Sequence, residues 1–364
     1  MGLKTGERLD LRSLRAFVPP RAARVGAGGT RPAPASETPP PKPKRRRTHK
    51  WRRATLAALI TGAVVLPLSG AAQPEIPAPA PASLAPLTAS TLDAAYKANR
   101  TNAAAASRMA SAHGDNKRAA ADHAMAAPSR QFLHFDGRGA GQATEVFGNL
   151  AHADHIAVLV PGSDTSIDTY DRFRAGALAL QDRLTRQAPQ GTRTAVVAWL
   201  GYKTPGTIST TVLTTDRADQ AAPHLREFIG ELRHIAGRKA NISLLCHSYG
   251  TVVGARAAAG LDVQDIALVG SPGTGADSAA ALHTRARVWA ARGADDWIEE
   301  VPHVRADLFG ATVGFGTDPV SPAFGAHVFA AGPGGHSDYF RPGSVSLANL
   351  TRIVLGESKE VTRA

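Results

Sequence analysis

The chain holds a single cysteine, Cys246, among 364 residues, so no intramolecular disulfide can form. It has no His-Glu-x-x-His motif, and His152 and His155 read as surface or strand-edge residues rather than ligands, so no catalytic metal is expected. The run Gly270-Ser271-Pro272-Gly273-Thr274-Gly275 lacks the Lys that a phosphate loop requires and reads as a strand-to-helix turn; no cofactor is expected. Acidic residues are scarce at the start: residues 1–53 carry 15 Lys/Arg and 3 Asp/Glu. Residues 54–364 carry 27 of each, so the formal net charge of +12 lies wholly in the first 53 residues. The remainder has no basic excess, which argues against a nucleic-acid partner.

There is one long apolar run, residues 54–68, and it begins directly after Lys44-Arg45-Arg46-Arg47 and Arg52-Arg53. Positive charge ahead of an apolar span stays on the cytoplasmic side of a membrane. Binding nucleic acid is the rival use of such a basic run. Extended through Pro67, Leu68, Gly70 and Ala72, the run reaches the length of a span. Two outcomes are open: an uncleaved anchor with residues 1–53 inside, or a signal segment cut near Ser69-Gly70-Ala71. Either places the chain beyond residue 72 outside the cytoplasm, membrane-anchored or secreted. A hydrophobic core helix is the competing reading. The expected organisation is a basic, Pro-rich disordered leader (1–53), the anchor or signal segment (54–72) and a Pro/Ala linker (73–90). An Ala-rich helical segment with a break at Gly114 (91–130) and an α/β domain (131–356) complete it.

From residue 131 onward strand and helix patterns alternate. Phe132–Phe135 and Ala143–Phe147, joined through Gly137–Gly141, predict an antiparallel hairpin. Buried strands are expected at 156–160, 194–199, 242–245, 265–269, 286–291 and 326–330. Helices are expected near 168–187, 216–236, 251–259 and 344–355. In the second of these Leu225, Phe228, Ile229 and Leu232 recur at helical spacing. The pattern predicts a mostly parallel central sheet with helices on both faces, and such sheets bind ligands at the C-terminal ends of their strands.

Cys246-His247-Ser248-Tyr249-Gly250 comes directly after the apolar run Ile242–Leu245. A small-x-Ser-x-Gly turn between strand and helix leaves one hydroxyl exposed, and the flanking positions must be small because neighbouring backbone comes close. Ser248 is therefore the candidate nucleophile; Cys246, at the end of the strand, is the lesser candidate. A chance Ser in a Gly-containing turn is the competing reading. An activated Ser needs a base, and the base needs an acid to orient it. Asp296 lies past the strand Val288–Ala291, and His336 lies in a Gly-rich loop after Val328–Ala330, so Ser, acid and His occur in the order of an α/β-hydrolase. Asp295 and Asp277 are alternative acids, Asp338 reads as a loop residue beside His336, and His247 should point away from Ser248. The expected oxyanion donors are the backbone N–H groups of Tyr249 and of Ser163, the latter just past Val160-Pro161-Gly162. With 47 residues between Ser248 and Asp296 and 39 between Asp296 and His336, little room remains for an inserted cap. The site is then open, or covered by the loop 200–215 or by the Ala-rich segment.

Residues 92–355 resemble an actinobacterial α/β-hydrolase family of unknown function, the domain-of-unknown-function family 1023. The resemblance lies in Phe132–Asp136, Glu145–Leu150, Val158–Gly162, Val196–Tyr202, His247–Gly250, Val269–Gly273, Asp296-Trp297-Ile298, and Gly335-His336 with Tyr339-Phe340. It implies the α/β-hydrolase fold and a Ser248–Asp296–His336 triad, and no particular substrate. The family's elbow begins with Gly, so Cys246 is a departure. The expected activity is serine hydrolysis of a small-molecule ester, thioester or amide through an acyl-enzyme, of the esterase or lipase type. An acyltransferase using the same triad, or a non-catalytic membrane-tethered binding module, are the alternatives.

Overall fold

A computed structural model describes residues 76–207, 209–301, 306–308 and 311–364. The basic leader 1–53 and the apolar segment 54–72 lie outside the described residues. Among the described residues no helix is long and apolar enough to cross a membrane.

Two helices come first, α1 (Leu92–Ala112) and α2 (Asn116–Met125). Gly114 between them has φ 89°, a conformation other side chains resist, and Asp115 caps α2 by accepting the Arg118 N–H at 2.9 Å. The first strand, β1 (Phe132–Asp136), is the edge of the main sheet. The Asn99 side chain of α1 donates to the carbonyls of Phe132 and Leu133, both at 2.8 Å. The helix thus satisfies edge groups that would otherwise stand open to another strand. Residues 76–88, within the stretch read as a Pro/Ala linker, lie against this part of the molecule. Leu87 is buried, and Asn102 of α1 donates to the Ala80 carbonyl at 2.7 Å.

The chain continues through β2 (Gln142–Gly148), β3 (His155–Val160), α3 (Tyr170–Gln187), β4 (Thr194–Leu200), α4 (Asp216–Ala236), β5 (Asn241–His247) and α5 (Gly250–Ala257). After these come β6 (Asp265–Val269), β7 (Arg287–Ala291), the pair β8 (Ala306–Leu308) and β9 (Ala311–Val313), β10 (His327–Val328) and α6 (Val345–Leu355). Eight strands form one sheet in the order β1-β2-β4-β3-β5-β6-β7-β10, and among the described residues β8 and β9 pair with each other alone. The β1/β2 and β2/β4 pairings are antiparallel; the rest of the large sheet is parallel.

Strand periodicity divides the core into two layers. Ile156, Val158 and Val160 of β3 face one layer, with Leu225, Phe228, Ile229 and Leu232 of α4 and Val252 and Val253 of α5. Ala157 and Leu159 face the other, with Leu180 and Leu184 of α3 and Leu350, Ile353 and Val354 of α6. Each fully buried large apolar side chain contributes about 1.5–3 kcal/mol by leaving water, so truncating Leu225 to Ala would cost about 2–5 kcal/mol.

Two stretches differ from the sequence reading. The final strand is two residues long rather than 326–330, because Phe329 bridges to Arg363 and the Ala330 N–H bonds the Thr362 carbonyl; the C-terminal residues close this sheet edge. The β8/β9 hairpin was not foreseen, since three-residue strands carry no readable period.

Candidate active site

The parallel strands deliver three loops to one rim. β5 ends at His247, and Ser248 turns the chain with φ 53° before α5 begins. A non-Gly residue in this region costs about 1–3 kcal/mol and persists only when its surroundings dictate it. Here the Ser248 N–H bonds the Val269 carbonyl at 3.0 Å, and the Ser248 carbonyl accepts from Thr251 N–H at 2.9 Å. The glycine two residues on is a steric necessity. A Cβ on Gly250 would lie 2.6 Å from the carbonyl oxygens of both Val160 and Pro161. Cys246 fits because its sulfur packs where a side chain on Gly254 would be, and it is fully buried with its thiol pushed upward by that burial. Its side chain faces helix α5, away from the solvent side of the turn.

The three side chains picked from the sequence meet. His336 Nε2 lies 2.8 Å from Ser248 Oγ, and His336 Nδ1 lies 2.9 and 3.1 Å from the two oxygens of Asp296. Asp296 is buried, and its Oδ1 also accepts the Ile298 N–H at 2.9 Å. Burial pushes the Asp296 carboxyl upward. Hydrogen bonds from His336, Tyr339 and the Ile298 N–H, with the imidazole's charge, outweigh burial and hold it below the usual carboxylate range. The alternative acids do not reach the imidazole. Asp295 is exposed and points out of the turn that buries its neighbour. Asp277 lies past β6 beside Gly316, on the stretch that Gly273, Thr274 and Gly275 tie to Phe315. Asp338 accepts the Gly335 N–H at 2.9 Å and so shapes the loop that carries His336.

The loop after β3 touches Ser248. A Cβ on Gly162 would stand 2.5 Å from Ser248 Cβ and 3.1 Å from Ser248 Oγ. Among the described residues, the N–H groups of Ser163 and Tyr249 donate to no acceptor. The loop is braced from the β4–α4 connection: Tyr202 Oη donates to the Pro161 carbonyl at 2.7 Å, and the Asp164 N–H to the Pro205 carbonyl at 3.0 Å. Asp164 itself has φ 55° and accepts the Thr207 N–H at 3.1 Å. The Tyr249 phenol, pushed up to about 12 chiefly by burial, donates to the Thr214 carbonyl at 2.8 Å and accepts the Ala218 N–H at 3.2 Å.

Three further groups surround the imidazole, and sequence reasoning had given none of them a role there. The His247 ring centroid is 4.8 Å from that of His336, and its Nε2–H donates to the His336 carbonyl at 2.6 Å. Burial, then the charge of His336, lowers the His247 pKa to about 4, so this ring is neutral at pH 7. Tyr339 Oη donates to Asp296 Oδ2 and accepts the Gly293 N–H at 3.0 Å. Trp297 stands 4.6 Å from His336 between ring centroids and remains 50% exposed. Among the described residues no group of three or more His, Cys, Asp or Glu side chains could hold a metal ion; His155 Nδ1 is engaged by the Val354 carbonyl at 2.7 Å.

Residues 136–306 match the family model described as an α/β hydrolase. The chain has the α/β-hydrolase fold. Two uncharacterised proteins from two strains of Mycobacterium tuberculosis are each 32% identical to it over 251 residues, covering 60% of this chain and 37% of theirs. The chain spans little more than a third of the length of those relatives. Among solved structures, a lidless α/β serine hydrolase from Xanthomonas campestris is 16% identical, with a TM-score of 0.38, covering 64% of this chain and 95% of that one. A crystallised esterase is 15% identical, with a TM-score of 0.40, covering 58% of this chain and 97% of that one. Neither score carries a reading of substrate.

Proposed function

We propose that this chain of α/β-hydrolase fold is a serine hydrolase that cleaves a carboxylic ester, or a thioester or amide, through an acyl-enzyme. The reading rests on one observation: an unbroken relay from Ser248 Oγ to His336 Nε2 at 2.8 Å and from His336 Nδ1 to buried Asp296 at 2.9 Å. His336 takes the Ser248 proton as Oγ attacks the substrate carbonyl. Asp296 fixes the Nδ1–H tautomer and stabilises the imidazolium that forms. The oxyanion develops beside Gly162, where the unoccupied N–H groups of Tyr249 and Ser163 supply two donors, one of them at the start of α5. Removing one such donor costs about 2.7–4 kcal/mol of barrier in serine hydrolases. The imidazolium then protonates the leaving group, which departs past Trp297. Water, activated by the same His336, attacks the acyl-enzyme carbonyl and releases the acid, with the proton returning to Ser248.

Half-exposed Trp297 gives the leaving-group side an apolar wall. That supports an ester whose leaving group is at least partly apolar. Turnover of p-nitrophenyl esters of increasing chain length tests the reading. Wild type should hydrolyse at least one member, and Ser248→Ala and His336→Ala should each lose about 10³-fold or more. Equal rates in wild type and Ser248→Ala would overturn it. A rise in turnover on adding an acceptor alcohol would mark acyl transfer by the same triad.

The same proposal includes membership of the actinobacterial family resembled in sequence, and a place outside the cytoplasm with residues 54–72 as anchor or signal. The basic run before an apolar stretch supports that location. Membrane fractionation of the full chain, with N-terminal sequencing of any released form, tests it; full-length protein in the cytosolic fraction would refute it.

A further inference from the structure

Deepening the reading above and resting on it, we propose that Tyr339 is a positioning residue: its phenol locks the Asp296 carboxylate in the rotamer that orients His336. The geometry is specific about where the proton lies. Tyr339 Oη accepts the Gly293 backbone N–H at 3.0 Å, so its own proton is free for its other neighbour, Asp296 Oδ2. Asp296 Oδ1 is already held by the Ile298 N–H at 2.9 Å and by His336 Nδ1 at 2.9 Å. Without Tyr339, Oδ2 would keep only the longer, 3.1 Å contact with the same imidazole nitrogen. The carboxylate could then rotate about its terminal torsion, whose minima are broad. His336 has no such freedom at its backbone, since His247 Nε2–H pins its carbonyl at 2.6 Å. The soft joint of the relay is therefore the carboxylate, and Tyr339 stiffens it.

The surrounding backbone is shaped for this contact. Gly270, at the end of β6, has φ 58°; a Cβ there would lie 2.9 Å from the Tyr339 ring and 3.1 Å from Asp296 Oδ2. Tyr339 is itself buried, and burial, then its bond to Asp296, raises its phenol far above the ordinary range, so it acts as a permanent donor. A phenol that only filled space would need neither the Gly293 N–H aimed at its oxygen nor a side-chain-free position beside the carboxylate.

Tyr339→Phe removes the donor and keeps the ring. Its kcat should fall about 10-fold with KM within about twofold, because the lost stabilisation belongs to the imidazolium-bearing transition state. The acid limb of the rate profile, set by the His336 base, should move to higher pH, because a carboxylate with one donor fewer draws the imidazolium proton more strongly. Tyr96→Phe, a buried phenol on α1, serves as the control and should change neither quantity. A folded Tyr339→Phe enzyme with wild-type kcat and an unmoved acid limb would overturn the proposal. Should Tyr339→Phe not fold, proton NMR of wild-type protein with labelled Tyr and His decides. It should show a protected, low-field Tyr339 hydroxyl proton beside the His336 Nδ1 proton, and a rapidly exchanging hydroxyl would overturn the contact. Failure here stays separate from failure of the hydrolase reading, which Ser248→Ala alone decides.

Discussion

Gly162→Ala adds one methyl group at the position where the loop after β3 meets Ser248, the proposed nucleophile. Gly162 is not among the residues with positive φ, so backbone conformation alone would admit Ala, and any penalty is steric. The new Cβ would stand 2.5 Å from Ser248 Cβ, against an ordinary carbon–carbon separation of about 3.5–4.0 Å. Loop and elbow must therefore part by about 1 Å. The elbow has little room to yield, because the Ser248 N–H is tied to Val269 and a Cβ on Gly250 would already meet two carbonyl oxygens at 2.6 Å. Movement falls on the loop and carries the Ser163 N–H away from the place where the oxyanion forms. A 1 Å misplacement at a reacting centre costs about 10²-fold, which is about 2.7 kcal/mol of barrier. Overpacking costs about 1–3 kcal/mol of stability besides. The assay is kcat/KM on an activated ester beside a thermal melt of the same sample. A drop near 10²-fold in a folded protein is the expected result. A kcat/KM within twofold of wild type with an unshifted melt would refute the claim that this loop forms one wall of the site.

Cys246→Ala should keep activity within about threefold, and thiol reagents should leave the native enzyme active, because the sulfur is buried against α5 and its thiol is held protonated; inactivation by alkylation of the folded protein would contradict this. Trp297→Ala should lower kcat/KM for an aryl leaving group by about 5–10-fold relative to a methyl ester of the same acid, measured by competition; an equal loss for both would place Trp297 outside the leaving-group path. Asp122 on α2 is buried with both oxygens unpartnered, and burial, opposed by Arg118, pushes its carboxyl up to about 7. In the unfolded chain it titrates near the ordinary value of about 3.9. The folded state thus holds this proton more tightly. The stability it contributes is complete below pH ~4 and is lost as pH rises to about 7. Asp122→Asn should therefore raise the melting temperature at pH 8 and change it little at pH 4; a uniform shift at both would refute the protonated assignment.

The candidate site was legible because it rests on local rules. A small-x-Ser-x-Gly turn can be recognised without coordinates, since Gly250 is dictated by backbone closeness and Ser248 by the turn it occupies. Asp296 and His336 were legible from chain order and from their places after strands. The choice of Asp296 over Asp295 and Asp277 was less so, because it depends on which carboxylate the turn after β7 buries. The role of Tyr339 could not be read from sequence. Its phenol meets Asp296 across 43 residues, and its donor direction is set by a backbone N–H on another loop. Adjacency in sequence hid that the His247 ring reaches the next loop and holds the His336 carbonyl. Residues 76–88 read as linker because Pro and Ala carry no periodicity. Their order comes from tertiary contacts such as the bond from Asn102 to Ala80.

The most direct test of the account is reaction of the folded chain with a fluorophosphonate, followed by peptide mass mapping. The account predicts one phosphonyl adduct, on Ser248, formed by wild type, absent in Ser248→Ala and strongly slowed in His336→Ala. No adduct on a folded wild-type protein, or an adduct that survives Ser248→Ala, would contradict it.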